Sequence, residues 1–548
     1  MKKFLAILIS VLMVFQLAAC SGSTASQESE NSTAVNAETK SEQTQQAADA
    51  QTGEAQEQTE EAVLWSESDE TLKVVLDIEP AALYTQFGSM TTAVIVTTSC
   101  LYDYLVYWDN TAHDVVPGIA ESWENVDEYR WRFHLKEGVT TAKGTPFTAE
   151  DVLYTFKVGC DGPDVSSYSR LFDIDNFEVE DDYTIIIATL SVAPKLPEVL
   201  TKSCYAMLSK ADAESSGGIE AQQLNPQCGT GKYVLDSWVS GQKITMVRNE
   251  NYWNKENDPV YFKSVEFTFV GDAATRMMSL QSKEADFVYG LTSAQIQSLE
   301  SDPSVDAYAN HTPGAEVVSF NCGAAPFDNE DVRKAVCMLI DPLECMTFGT
   351  GGLSDVTNSM LGTTNKYYSA PAYDHQVDIA QAKSLLAGAG YANGLTIDLQ
   401  YSSNSPVYEV IQRQLAEGGV TLNLIPVEYA TLKVAQRNGE YAMTIGPIKT
   451  ADIVQTFMTL DARVGYTLNA GGCQCSDQEL YDLLDAVYHE FDEAKSAEGF
   501  AKIQDYVREH NIAIGLYDTL TYAAVNSEYT APNFDLAGSF NLSYIHSK

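Results

Sequence analysis

The alternation of apolar and polar positions is clearest across residues 117–152, PGIAESWENVDEYRWRFHLKEGVTTAKGTPFTAEDV. Tyr129, Trp131, Phe133 and Leu135 fall on one face, and Arg130, Arg132 and His134 on the other. A period of two predicts a half-buried strand, which Gly138 ends. Gly144-Thr145-Pro146 is turn chemistry. Thr148 then stands as an N-cap with an acid, Asp151, three residues on, and Val152, Leu153 and Phe156 continue a helix face. The same reading predicts strands over 72–76, 244–248, 265–270, 317–321, 395–401, 420–427 and 512–517, and a strand pair over 177–190 turning at Asp181-Asp182. Helices are predicted over 91–107, 273–280, 332–341, 378–389 and 407–417. Two more amphipathic helices are marked by Leu480, Leu483, Leu484, Val487 and Phe491, and by Phe500, Ile503 and Val507. Strands alternating with helices argue an α/β architecture.

The first 63 residues break that pattern. Lys2 and Lys3 precede an apolar run over 4–15, too short and too terminal for a stable membrane span. Leu17-Ala18-Ala19-Cys20 resembles a bacterial lipobox. It implies a lipoprotein signal peptide over 1–20, cleavage before Cys20, and a diacylglyceryl group on its thiol. Residues 21–63 are rich in Ser, Thr, Ala, Gln and Glu and bury too little apolar surface to offset ordering entropy, so they read as a disordered tether. The folded part is expected over 64–548. The expected location is the outer face of the cytoplasmic membrane, lipid-anchored, in an extracellular or periplasmic setting.

Length and charge narrow the classes. At roughly 150 residues per folding unit, 548 residues suggest several lobes. A formal charge of −43 argues against nucleic acid and against adsorption to anionic lipid. The 30 tyrosines suit either ordinary packing or a cleft lining. Nine cysteines follow Cys20, an odd number without the spacing of a disulfide scaffold. Cys337 and Cys345 sit in apolar surroundings and read as buried thiols. Cys473-Gln474-Cys475 lacks a histidine at finger-like spacing. Gly229-Thr230-Gly231-Lys232 fails as a phosphate loop, because Pro226 and Tyr233 occupy the positions of the first Gly and of the Ser or Thr. There is no G-x-S-x-G and no H-E-x-x-H, and no acid pair has distinctive context. No catalytic residue, metal or cofactor is expected.

Residues 117–123, 132–139 and 144–152 resemble the motifs "P-G-L-A-E-S-W", "F-x-L-R-x-G-V" and "D-G-T-P-F-T-A-E-D-V" of the extracellular solute-binding proteins of family 5, which serve ABC importers of oligopeptides, dipeptides or nickel. Lys143 replaces the usual Asp. Leu101-Tyr102-Asp103-Tyr104-Leu105 resembles "L-Y-E-G-L", and 229–238 resembles "G-T-G-P-Y-x-L-x-x-W". Residues 332–341 resemble "V-R-x-A-x-x-x-A-I-D", and 283–287 resemble "S-G-E-I-D", where Asp286 reads as structural.

The resemblance implies a type II periplasmic-binding-protein fold, two lobes around a ligand cleft with an extra inserted domain. Lobe I would be 64–102, 205–310 and 518–548, the inserted domain 103–204, and lobe III 311–517. Met90, Thr91, Thr92, Tyr168, Tyr429 and Tyr517 match ligand-lining positions. In the peptide binders an Asp meets the ligand's ammonium; Thr450 falls at that place here. Asp452 lies two residues on, beside Lys449. Lys449 either receives a carboxylate or phosphate or stands solvated. The implied function is capture of a small solute, a peptide above all, by hinge closure. The implied partners are the permease and ATPase subunits of an ABC importer, with the receptor itself a monomer. A surface receptor or adhesin without transport, and an exported hydrolase, are the alternatives.

Overall fold

The computed structural model describes residues 68–84, 91–109, 114–161, 171–372, 375–448, 453–468, 471–534 and 540–548. Sixteen of the eighteen strands among the described residues carry the architecture. They are β1 (Thr71–Leu76), β2 (Val106–Asp109), β3 (Asp114–Pro117), β4 (Ala120–Asp127), β5 (Arg130–Leu135), β6 (Glu178–Asp181), β7 (Thr184–Ala188) and β8 (Tyr233–Val239). Then come β9 (Lys243–Arg248), β10 (Ser264–Phe269), β11 (Phe287–Tyr289), β12 (Val305–Phe320), β13 (Leu395–Tyr401), β14 (Val420–Pro426), β15 (Met443–Ile448) and β16 (Ala513–Asn526).

One eight-stranded sheet runs β15-β12-β16-β11-β1-β10-β9-β8. Its two long members, β12 and β16, pair antiparallel from Val305↔Asn526 to Ser319↔Ala513, with register shifts between His311 and Ala315 and between Glu316 and Val317. The irregularity at 311–315 divides the sheet between two cores. On one side Leu72, Val74, Leu76, Phe267, Phe287, Ala523 and Val525 pack with Val96 and Tyr102. On the other, Val318, Phe320 and Leu516 pack with Val336, Val407 and Ile411 on one sheet face, while Ala315 and Val317 pack with Phe457, Phe500 and Ile503 on the opposite face. A third core, over residues 105–207, belongs to the antiparallel sheet β4-β5-β7-β6. Phe133 and Leu135 of β5 are buried there as the alternation requires, whereas Tyr129 is exposed.

The helix after β5 is Ala149–Asp161, and its capping acid works in the predicted sense: the Thr148 amide donates to Asp151 at 2.7 Å. Elsewhere the boundaries move. The helix expected over 91–107 stops at Leu101, where Tyr102 turns extended, and the chain re-forms as β2. Gly229 and Gly231 press against that turn; a Cβ at Gly229 would lie 2.0 Å from the Leu101 carbonyl oxygen. The "G-T-G" element is therefore a packing device, and its Lys232 pairs with Asp258 at 2.5 Å. The helix expected over 332–341 is Glu330–Cys337, because Asp341 instead caps a new helix, Pro342–Thr350, accepting from the Leu343 amide. Asp286 accepts from the Lys73 amide at 2.8 Å, a structural role as expected. All nine cysteines after Cys20 are free thiols, and burial pushes Cys337 and Cys345 up to about 12.

Candidate functional site

β1, β10 and β11 run parallel, and β11 pairs antiparallel with β16 through Tyr289↔Ala523. Their carboxyl ends therefore point along β16 toward residues 522–513 and the second core. In open α/β sheets ligands bind at such carboxyl ends. Facing them, β15 ends at Ile448 opposite Ala315 of β12. The candidate site is the space between these two edges.

On the first edge stands the helix Thr92–Leu101, capped by Thr91, whose side chain accepts from the Val94 amide. The half-buried Thr92 hydroxyl lies 3.0 Å from the Tyr289 hydroxyl at the end of β11. On the second edge Glu316 and Tyr517 are register partners in β12 and β16, and Pro447 flanks Glu316 from β15. Glu316 is only 8 % exposed. Its burial in apolar surroundings pushes its carboxyl up to about 7. Tyr408, in the first turn of the helix Pro406–Glu417, and Tyr517 both feel its charge. Tyr517 is buried and packs against Gly349, where a Cβ would meet its hydroxyl oxygen at 2.4 Å.

Tyr429 opens the helix Tyr429–Arg437 and is 65 % exposed, with the Lys433 ammonium 5.7 Å from its ring centre. The structure thus brings Thr92 to one edge and Tyr517 to the other, and leaves Tyr429 turned to solvent. Met90, Tyr168, Lys449, Thr450 and Asp452, like Cys20, lie outside the described residues. Sequence reasoning passed over Glu316. Its signal was a single acid in an otherwise apolar run, Ala315-Glu316-Val317-Val318.

The strands pass between the two cores through a polar knot. Asp518, fully buried, accepts from the Thr363 amide at 2.7 Å, from the Thr363 hydroxyl, and from His311 Nδ1 at 2.9 Å. Asp355 joins them, and among the described residues only these three place metal-ligating atoms within 4.8 Å of one another. Asp518 is already satisfied by its protein donors, so the trio is explained without an ion.

A second contact joins the third core to residues 315–517. Lys195 pairs with Glu493 at 2.6 Å, and Lys366 pairs with Glu198 at 2.7 Å and Glu493 at 3.0 Å. The Tyr367 hydroxyl donates to Glu198 at 3.0 Å, and the Trp131 and Phe491 rings lie 6.3 Å apart. Burial opposes ionisation of Glu493, yet Lys195 and Lys366 hold it down at about 2. A broad depression of about 1130 Å³, lined in part by Glu121, His134 and Tyr183, lies on the β4–β7 sheet and not between the edges described above.

The model of the family described as "Bacterial extracellular solute-binding proteins, family 5 Middle" matches residues 114–458, more than half of the chain. Heme-binding protein A of Haemophilus influenzae is 28 % identical over 400 residues, covering 68 % of this chain and 72 % of that protein. The periplasmic oligopeptide-binding protein OppA of the same organism is 25 % identical over 370 residues, covering 59 % and 66 %. Among solved structures, the periplasmic binding protein DppA of Helicobacter pylori in complex with the peptide STSA superposes with a TM-score of 0.72 at 22 % identity, covering 87 % of this chain and 98 % of that one. That likeness shows the fold, the type II periplasmic-binding-protein architecture of two lobes about a cleft; all three relatives are named as binding proteins, not enzymes, and DppA as associated with an ABC transporter. With its middle matched by the family model and its fold shared with periplasmic receptors, the chain belongs to the bacterial extracellular solute-binding proteins of family 5.

Proposed function

We propose that this protein is a lipid-anchored extracytoplasmic receptor that captures a peptide by closing its lobes and delivers it to the permease of an ABC importer. Lobe I is 64–102, 205–310 and 518–548, the inserted domain 103–204 and lobe III 311–517. The observation that carries this reading is the Lys195–Glu198–Lys366–Glu493 cluster. It clasps the inserted domain to lobe III across a chain that crosses only at two strands, near His311 and Asp518. In this reading the cluster rewards the closed state, and a ligand touching both lobes shifts the population the same way. Peptides are the favoured class because OppA of Haemophilus influenzae and DppA of Helicobacter pylori are named for or solved with them.

The test is the melting midpoint of the purified protein against a mixed tripeptide pool. Binding to the folded form alone stabilises by about 2.7 kcal/mol at 100 times Kd. The midpoint should rise and saturate, with the peptides recovered intact. An unchanged midpoint at millimolar peptide excludes the peptide reading. Retained peptide uptake after deletion of the gene would leave a receptor without transport.

Anchoring rests on Cys20. Cys20→Ser should abolish labelling by radioactive palmitate while the released protein keeps the melting midpoint of the mature one. Label retained on the variant would show that the lipid is not on that thiol.

A further inference from the structure

We infer that Glu316 is the carboxylate that receives a positively charged group of the ligand, an ammonium or guanidinium, in the closed cleft. This rests on the receptor reading above and adds to it the charge of the solute.

Four observations converge on that residue. Glu316 begins the part of β12 that belongs to lobe III, one position from where β15 ends, so it stands at the edge facing lobe I. Its side chain is more than nine-tenths buried, and among the described residues it makes no hydrogen bond or ion pair. Among the described residues its oxygens are not counted with the sealed, unpartnered polar atoms of the interior. Around it stand two phenols, Tyr408 from the helix Pro406–Glu417 and Tyr517 from β16, and no described cation.

A carboxylate in that position is costly to ionise alone, and a buried polar group is ordinarily paired. The alternative, an acid kept protonated as a packing element, leaves its hydroxyl without an acceptor. A ligand cation removes both difficulties, because it supplies charge and donors together. By contrast, an anionic or metal-free neutral ligand would leave the carboxyl as it is.

Three peptide sets separate the sources of the cation by calorimetry. The first carries a free amino terminus and only apolar side chains. The second is N-acetylated with one Lys or Arg. The third is N-acetylated with no basic residue. The wild-type protein should bind the first or the second and not the third. Glu316→Gln should weaken that binding by about 30-fold or more. The variant should keep its ligand-free melting midpoint, because the amide is isosteric and already neutral. Preference for the first set assigns the carboxylate to the α-ammonium, and preference for the second to a side-chain cation. Equal binding of the third set, or wild-type affinity in Glu316→Gln, overturns the inference and leaves the receptor reading standing. Failure of the wild-type protein to bind any set overturns the peptide reading and this inference together.

Discussion

Asp518→Ala should lower the stability of the folded domain by about 3–5 kcal/mol, the range for removing one member of a buried charged pair. Asp518 is fully buried and serves three donors: the Thr363 amide, the Thr363 hydroxyl and His311. Truncation strands all three at the point where β16 passes between lobes. Its own amide and carbonyl stay engaged with Asp355 and Ser354, so the strand itself should persist. The pH dependence identifies the cause. The hydrogen bond to Asp518, with the charges of Asp518 and Asp355, raises His311 above its ordinary value against the opposing effect of burial. A raised folded-state value means the pair's contribution is complete below about pH 6.5, the unfolded value, and is lost as pH rises through the folded value. Urea titrations at pH 5.5 and 8.5 should show a difference that is smaller in His311→Ala than in the wild-type protein, the remainder including Glu316. A difference unchanged in that variant would place the titration elsewhere.

Lys366→Met should weaken peptide binding by about 10- to 100-fold, or about 1.4–2.8 kcal/mol, mostly through faster release. Lys366 serves both Glu198 and Glu493, and its loss leaves Glu198, mostly buried, without its cation. On the proposed closing motion that penalty falls on the closed state, so the competent fraction drops and the apparent affinity drops with it. Glu493 remains more than half exposed, which keeps the effect below that of a sealed pair. The Glu493 pairs should survive mild acid, whereas burial holds the Glu198 carboxyl above its ordinary value. Glu493 is depressed to about 2, so its contribution is present above the unfolded value near 4.3 and fades only as pH falls toward 2. Stopped-flow release rates at pH 7 read the change. Unchanged release from Lys366→Met, with a lowered ligand-free melting midpoint, would make the cluster a static brace.

Short-range pattern anticipated β1, β5, β13 and β14 because each is an apolar run or clean alternation bounded by turn residues. It did not anticipate the length of β12 or β16. The first half of β12, Asp306 to His311, is polar and half-buried, and is held in strand form by pairing with residues 520–525 more than 200 positions away. No local window contains that partner. The helix ends were misplaced for the same reason: Leu101 is a terminus because Gly229 and Gly231 occupy the space beyond it. For the site, motif position brought Thr92 and Tyr517 to opposing edges, but exposure separates Tyr429 from them. Glu316 reads locally as an ordinary solvent-facing acid. Its burial is created by β15 on one side and β16 on the other, both distant in sequence.

The position of β16 also constrains the order in which the molecule is built. Of the strands in the large sheet, the one made last lies in its middle, between β12 and β11. Until residues 513–526 emerge, β12 and β11 have no common neighbour, and Phe287 and Val74 wait beside a gap that Ala523 and Val525 later fill. The β4–β7 sheet, by contrast, is continuous in sequence and complete by Ala188. A growing chain can thus finish the β4–β7 sheet early, while its principal sheet holds unpaired strand edges until β16 is made. Long-range closures of this kind are slow and expose aggregation-prone edges. The interval before β16 arrives is where this chain has most need of a chaperone.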